Sequence, residues 1–130
     1  MTNYELLSLY SEYGQLIVNV VTVYISFLFA YIVASYAVAG KLTRLQFSII
    51  TFFFAGVSLH LASVIRVHGE RVVSLQMEIT RRIEENGSEI AFISVAKIPT
   101  WFPTGLLVFY LVASAFAIAF AVHIRKTSNR

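Results

Sequence analysis

The sequence predicts an all-α membrane protein with three transmembrane helices plus an extramembrane amphipathic helix between spans two and three. Three observations predict it. Of 130 residues, 58% are hydrophobic and only 13% are charged, about half the ~25% charged share of a soluble domain. Mean hydropathy is +0.74. The apolar residues also fall into three long runs without a charge, separated by charged connections. No Pro/Gly/Ser-rich linker divides residues 1–130, so they read as one integral membrane domain. The chain has no cysteine and no aspartate, which excludes a disulfide scaffold and a Cys-ligated zinc or iron–sulfur site. The apolar excess excludes a disordered chain and a conventional soluble enzyme.

The first span, about 14–39, lies in the charge-free run from Tyr13 to Gly40. The second, about 45–66, lies between Arg44 and Arg66, and the third, about 101–124, ends at Arg125-Lys126. Each meets the ~20 residues needed to cross hydrocarbon. None alternates in the manner of a barrel strand, and a helix satisfies its own backbone there. Lys and Arg in the short flanks set the orientation. The N-terminal tail carries only Glu5 and Glu12, whereas Lys41 and Arg44 flank the first connection and Arg125, Lys126 and Arg130 follow span three. The N-terminus is therefore expected outside and the C-terminus in the cytoplasm, in a plasma or bacterial inner membrane. Tyr4, Tyr10, Tyr13 and Trp101 fall on the proposed outer side, as interfacial aromatics do.

Helices associate in lipid through small residues that admit close approach. Span one carries Thr22, Ser26, Ala30 and Ala34 at four-residue intervals. Span two carries Ser48, Thr51, Ala55, Ser58 and Ala62 on one stripe, and span three carries Ala113, Ala117 and Ala121. These faces either close a monomeric bundle or meet another subunit. Polar residues inside spans are the natural place to look for function, and Asn19, His60 and Thr104 fall at similar depths, where they can form one polar layer. Tyr24 and Tyr110 lie deeper. His60 either fixes helix register by hydrogen bonding or serves as a protonatable, ligand-binding group, with His68 a second weak cofactor candidate.

The outer loop, 69–99, changes character. Val72, Leu75, Ile79 and Ile83 share a narrow arc of a helical wheel, and the surrounding Glu and Arg project elsewhere. Glu78–Arg82, Arg81–Glu84 and Arg82–Glu85 have the spacing of helical ion pairs, and Asn86-Gly87 supplies a C-cap. Four Glu and three Arg leave this helix without the basic excess of one that grips anionic lipid. Residues from Ile90 to Ile98 read as a short strand or extended segment ending at Pro99. Thr100 is placed to cap span three, with Pro103 tolerated in its first turn.

No nucleophile elbow, zinc-protease motif, phosphate loop, dinucleotide fingerprint or channel-filter sequence occurs. His60, His68 and His123 lack metal-ligand spacing, and the +3 net charge follows from the topology-setting flanks, which argues against nucleic-acid binding. The expected function is that of a small non-enzymatic multi-pass membrane protein, without a cofactor, acting as an interaction or accessory subunit or as a homo-oligomer. Alternatives are a haem- or quinone-associated anchor using His60, and an oligomeric pore or small transporter built on the Asn19/His60/Thr104 layer. Ala37-Val38-Ala39 resembles a signal-peptidase site, but the leading residues lack a basic region and the apolar run is too long for a signal sequence. Span one is thus expected to be retained, and mass spectrometry of the mature protein should find no chain beginning at Gly40.

Overall fold

Two of the helix starts are written in short side-chain motifs. Thr2 and Glu5 cap each other reciprocally, the Glu5 amide donating to Thr2 Oγ1 at 3.2 Å and the Thr2 amide to a Glu5 carboxylate oxygen at 2.7 Å. Thr43 and Gln46 repeat the arrangement at 3.3 and 3.0 Å. Thr-x-x-Glu and Thr-x-x-Gln are capping boxes, which satisfy amide groups that no helical carbonyl can reach. From these starts run α1 (Asn3–Val38) and α2 (Arg44–Asn86), followed by α3 (Phe102–Ser128). The computed structural model describes residues 2–38, 40–86 and 98–128. All three helices are long and apolar enough to cross a membrane.

The turn after α1 is tight, with the Lys41 and Leu42 amides both donating to the Val38 carbonyl, so α2 returns antiparallel beside α1. Each helix contributes a seam with seven-residue repeats. On α1, Ile17, Tyr24 and Tyr31 are buried, and Tyr10, one repeat earlier, packs against the same core. On α2 the buried positions Ser58, Ile65, Val72 and Ile79 follow the same interval. A repeat of 3.5 residues per turn keeps one face toward a partner over many turns.

Two aromatic clusters fill the seam. Tyr24 stacks on Tyr110 with ring centroids 3.9 Å apart, above Ala62 and Ile65. Tyr31 stacks on Phe54 at 3.9 Å, beside Ala117 and Ala121. The Tyr24 hydroxyl donates to the Tyr110 carbonyl at 2.9 Å. Its single proton is then committed, so Ser114 Oγ donates to it, also at 2.9 Å. This joins α1 to α3, while the Tyr31 hydroxyl meets Thr51 Oγ1 at 3.0 Å and joins α1 to α2.

The separate outer helix expected between spans two and three is not what forms. Residues 69–86 belong to α2, a single helix of 43 residues. Gly69 sits inside it, buried against the first turn of α3, where an added Cβ would lie 3.0 Å from Pro103 Cβ. Here the glycine admits a neighbour instead of ending a helix. The arc of Val72, Leu75, Ile79 and Ile83 exists as expected, but as the continuation of the buried face of the apolar half; Val72 and Ile79 are fully buried. The Gly87 cap, and all but the last residue of the extended segment proposed for Ile90 to Ile98, lie outside the described residues. Thr100 does not cap α3. The Phe102 amide donates to the Pro99 carbonyl and the Gly105 amide to the Trp101 carbonyl, so Trp101 occupies the capping position and Pro103 lies in the first turn.

The two glycines of α2 should respond oppositely to substitution. Gly69→Val should destabilise the protein by about 1–3 kcal/mol through overpacking. Gly56→Ala, whose Cβ meets nothing within 4 Å, should be neutral or gain up to about 1 kcal/mol of helix propensity. Thermal unfolding in detergent compares the two, and equal effects would contradict the close approach at Gly69.

Candidate functional site

Beyond Ile65 the sequence of α2 turns charged, and the first turns of α1 run alongside it. Leu6, buried to 2% exposure, joins Asn3, Leu7, Ile79 and Arg82 around a gap of only about 10 Å³, so the two strands of this helical pair are closely packed. Polar contacts tie its edges. Arg82 Nη1 donates to Asn3 Oδ1 at 3.2 Å, and Arg71 Nη1 to the Tyr13 hydroxyl at 3.0 Å. Gln76 clamps the returning chain with both ends of its amide: its oxygen accepts the Ile98 amide at 2.8 Å and its nitrogen donates to the Ile98 carbonyl at 3.5 Å.

The charges on this pair are largely spent on one another. Arg81 grips Glu78 through two nitrogens, at 2.9 and 3.1 Å, and reaches Glu85 at 3.1 Å. Arg82 meets the same Glu78 at 2.9 Å, as its four-residue spacing predicts. Arg66 pairs with Glu70 at 3.0 Å. The expected Arg81–Glu84 pair does not form, because Glu78 and Glu85 offer Arg81 better-placed oxygens on either side. Hydrogen bonds from Arg81, and then from Arg82, hold the Glu78 carboxyl down at about 2. Such exposed pairs add little stability singly, but they leave a near-neutral polar surface.

The polar layer expected from the sequence lies on the outside of the bundle. Asn19, His60 and Thr104 are all exposed, and no hydrogen bond joins them. His60 lies in an open surface depression of α2 with Phe52, Phe53, Gly56 and Val57. His68 is half-buried; its Nδ1 is 2.7 Å from the Val64 carbonyl and therefore carries the proton, while its ring tilts against Tyr13 at 5.6 Å. Among the described residues no three His, Cys, Asp or Glu side chains are grouped to hold a metal ion.

The small-residue faces divide. Ala117 and Ala121 are buried, Ala113 is half-buried, and from Thr51 through Ala55, Ser58 and Ala62 the α2 stripe also turns inward, with Ser48 left outside. These residues close the bundle. Ser26, Ala30 and Ala34, together with Thr22, are exposed, since α1 packs through its tyrosines instead. Ala30 and Ala34 form part of an open, almost wholly apolar groove of about 370 Å³, walled by Phe27, Tyr31, Ile49, Ile50, Phe53 and Phe54. The hydroxyls on this stripe are internally satisfied, Thr22 donating to the Val18 carbonyl and Ser26 to the Thr22 carbonyl, both at 2.9 Å.

The polar groups that do meet inside the bundle are Tyr24, Ser114, Tyr31 and Thr51. The signal that locates them is the seven-residue spacing of Tyr10, Ile17, Tyr24 and Tyr31. No protein-family model, curated protein or solved structure matches the sequence.

The Glu78 ion pairs give the helical pair a defined acid response. Its carboxyl titrates near 4.5 when unpaired and at about 2 in the fold. The stabilisation is complete above about pH 4.5 and is lost as the pH falls from there through about 2. Amide hydrogen-exchange protection across residues 70–85, taken relative to the intrinsic rate at each pH, should fall over that window, and Glu78→Gln should remove that part of the pH dependence.

Proposed function

We propose that the protein is a small non-enzymatic integral membrane protein that works by contact, as an accessory or interaction subunit or as a homo-oligomer. The observation that carries this reading is the outward groove over Ala30 and Ala34. Small side chains let another helix approach the α1 backbone, and packing is the main source of helix association in lipid. Large aromatic walls supply contact area on both sides of the alanines. The paired hydroxyls of Thr22 and Ser26 add no unsatisfied group to the surface.

The placement in the membrane follows from length. At 1.5 Å per residue α2 is about 65 Å long, roughly twice the ~30 Å hydrocarbon thickness. Its apolar half, up to Ile65, is sufficient to span. The charged half from Arg66, paired with the start of α1, then stands outside as an extramembrane amphipathic stalk. Lys41, Arg44, Arg125 and Lys126 gather at the opposite end, where an added Cβ on Gly40 would meet Ser128. By the positive-inside rule that end is cytoplasmic and the stalk external, in a plasma or bacterial inner membrane.

The absence of natural cysteine makes both parts directly testable. Single cysteines at Glu85 and Lys126 should label from opposite sides of intact cells or spheroplasts, Glu85→Cys from outside only. A cysteine at Ala34 should cross-link in native membranes to a product of defined mass, a dimer or one partner, and Ala30→Phe should abolish it by filling the groove. A chain that stays monomeric and uncross-linked, with Ala30→Phe inconsequential, would overturn the contact reading.

A further inference from the structure

At the end opposite the stalk, Arg44, Phe47 and Ser48 of α2 face Val122, Arg125 and Lys126 of α3 across a groove of about 380 Å³. We infer that this groove binds the phosphate headgroup of an anionic phospholipid. The inference rests on the reading that the helices span a bilayer, and it needs no partner subunit.

Charge complementarity argues for the ligand. Three cations line the groove, and among the described residues no carboxylate shares that end of the bundle. The described glutamates lie on α1 before Tyr13 or on α2 beyond Arg66, and every described ion pair is on the outer half of α2. Arg125 is held in position: its guanidinium carbon stands 4.7 Å from the Phe47 ring centroid, and two of its nitrogens donate to the Thr43 and Leu42 carbonyls at 3.3 Å. Those contacts orient the charge without neutralising it. Arg44 and Lys126 are exposed and contribute charge to the mouth.

The groove is also graded along the membrane normal. Arg44 immediately precedes the apolar run of span two, and Arg125-Lys126 immediately follow that of span three, so the cations mark the polar limit. Phe47 and Val122 stand about one turn inside it. A cationic rim above apolar walls matches a headgroup above an acyl chain. A free phosphate would use only the rim. Basic pockets between transmembrane helices on the cytoplasmic side are general sites for anionic headgroups.

Native mass spectrometry of the full chain in detergent, titrated with dioleoyl-phosphatidylglycerol, dioleoyl-phosphatidylcholine or inorganic phosphate, tests the assignment. Phosphatidylglycerol should bind preferentially and should not be displaced by millimolar phosphate. Each near-surface cation contributes about fivefold in affinity, so Arg44→Gln with Lys126→Gln should weaken phosphatidylglycerol binding about 30-fold and leave phosphatidylcholine binding unchanged. Each single substitution should cost about fivefold, which keeps the test open if the double variant fails to fold. Arg66→Gln with Arg71→Gln, at the other end, should have no effect. Equal binding of the two lipids, undiminished selectivity in the variants, or full competition by inorganic phosphate would overturn the inference. A monomeric chain that keeps its lipid selectivity would leave it standing while the contact reading fails.

Discussion

One seam along α2 organises the molecule. Ser58, Ile65, Val72 and Ile79 recur every seven residues and are all buried, although the first two lie in an apolar sequence and the last two in a charged one. In hydrocarbon there is no hydrophobic force to gather helices, so close packing must do it. In water an exposed apolar stripe is costly and must be covered. A seven-residue repeat meets both demands with the same face. It lets one uninterrupted helix pack against α1 and α3 at one level and continue against the start of α1 further along. The clasp of Asn3 with Arg82 and the stacking of Tyr31 on Phe54 are then two points on a single antiparallel contact.

The tyrosines show what this arrangement requires of α1. A phenol buries a large apolar ring and leaves one hydroxyl that must be paired away from water. Tyr24 satisfies this through the Tyr110 carbonyl and Ser114, and Tyr31 through Thr51. Each ring therefore fills space and fixes an axial position. With Tyr24 and Tyr31 on the inward face of α1, Ser35 is buried beside them, while the stripe of Ser26, Ala30 and Ala34 lies off that face. Ser26, Ala30 and Ala34 turn outward as a geometric consequence of where the tyrosines sit.

This accounts for what the sequence made legible. The three apolar helices follow from composition and the length of uncharged runs, which depend only on hydrocarbon thickness. The α3 stripe of Ala113, Ala117 and Ala121 and most of the α2 stripe face inward, where Tyr110 and Phe54 pack among them. The α1 stripe left its neighbour open, because a four-residue recurrence marks a flat face without saying what covers it. The helix boundary proposed near Gly69 failed for a related reason. Charge and glycine suggest a break when scanned locally, but the seven-residue repeat crosses Arg66, Gly69 and Glu70 without changing phase. Both capping boxes, Thr2/Glu5 and Thr43/Gln46, are explicit in the sequence, since their partners lie three residues apart and need no tertiary context.

Charge is separated along the axis as sharply as packing is continuous. In the second half of α2, cations and carboxylates alternate at three- and four-residue spacing, so Arg81 and Arg82 converge on Glu78 and the local field largely cancels. At the other end Arg44, Arg125 and Lys126 come from two helices and meet no described carboxylate. Helical ion pairs are recoverable from spacing; the basic groove is not, because Arg44 and Arg125 are distant in sequence and become neighbours only when α3 returns beside α2. Arg125 donates to carbonyls at the α1–α2 turn, thereby tying the end of α3 to the start of α2. The same side chain that closes the bundle thus fixes a positive charge at its rim.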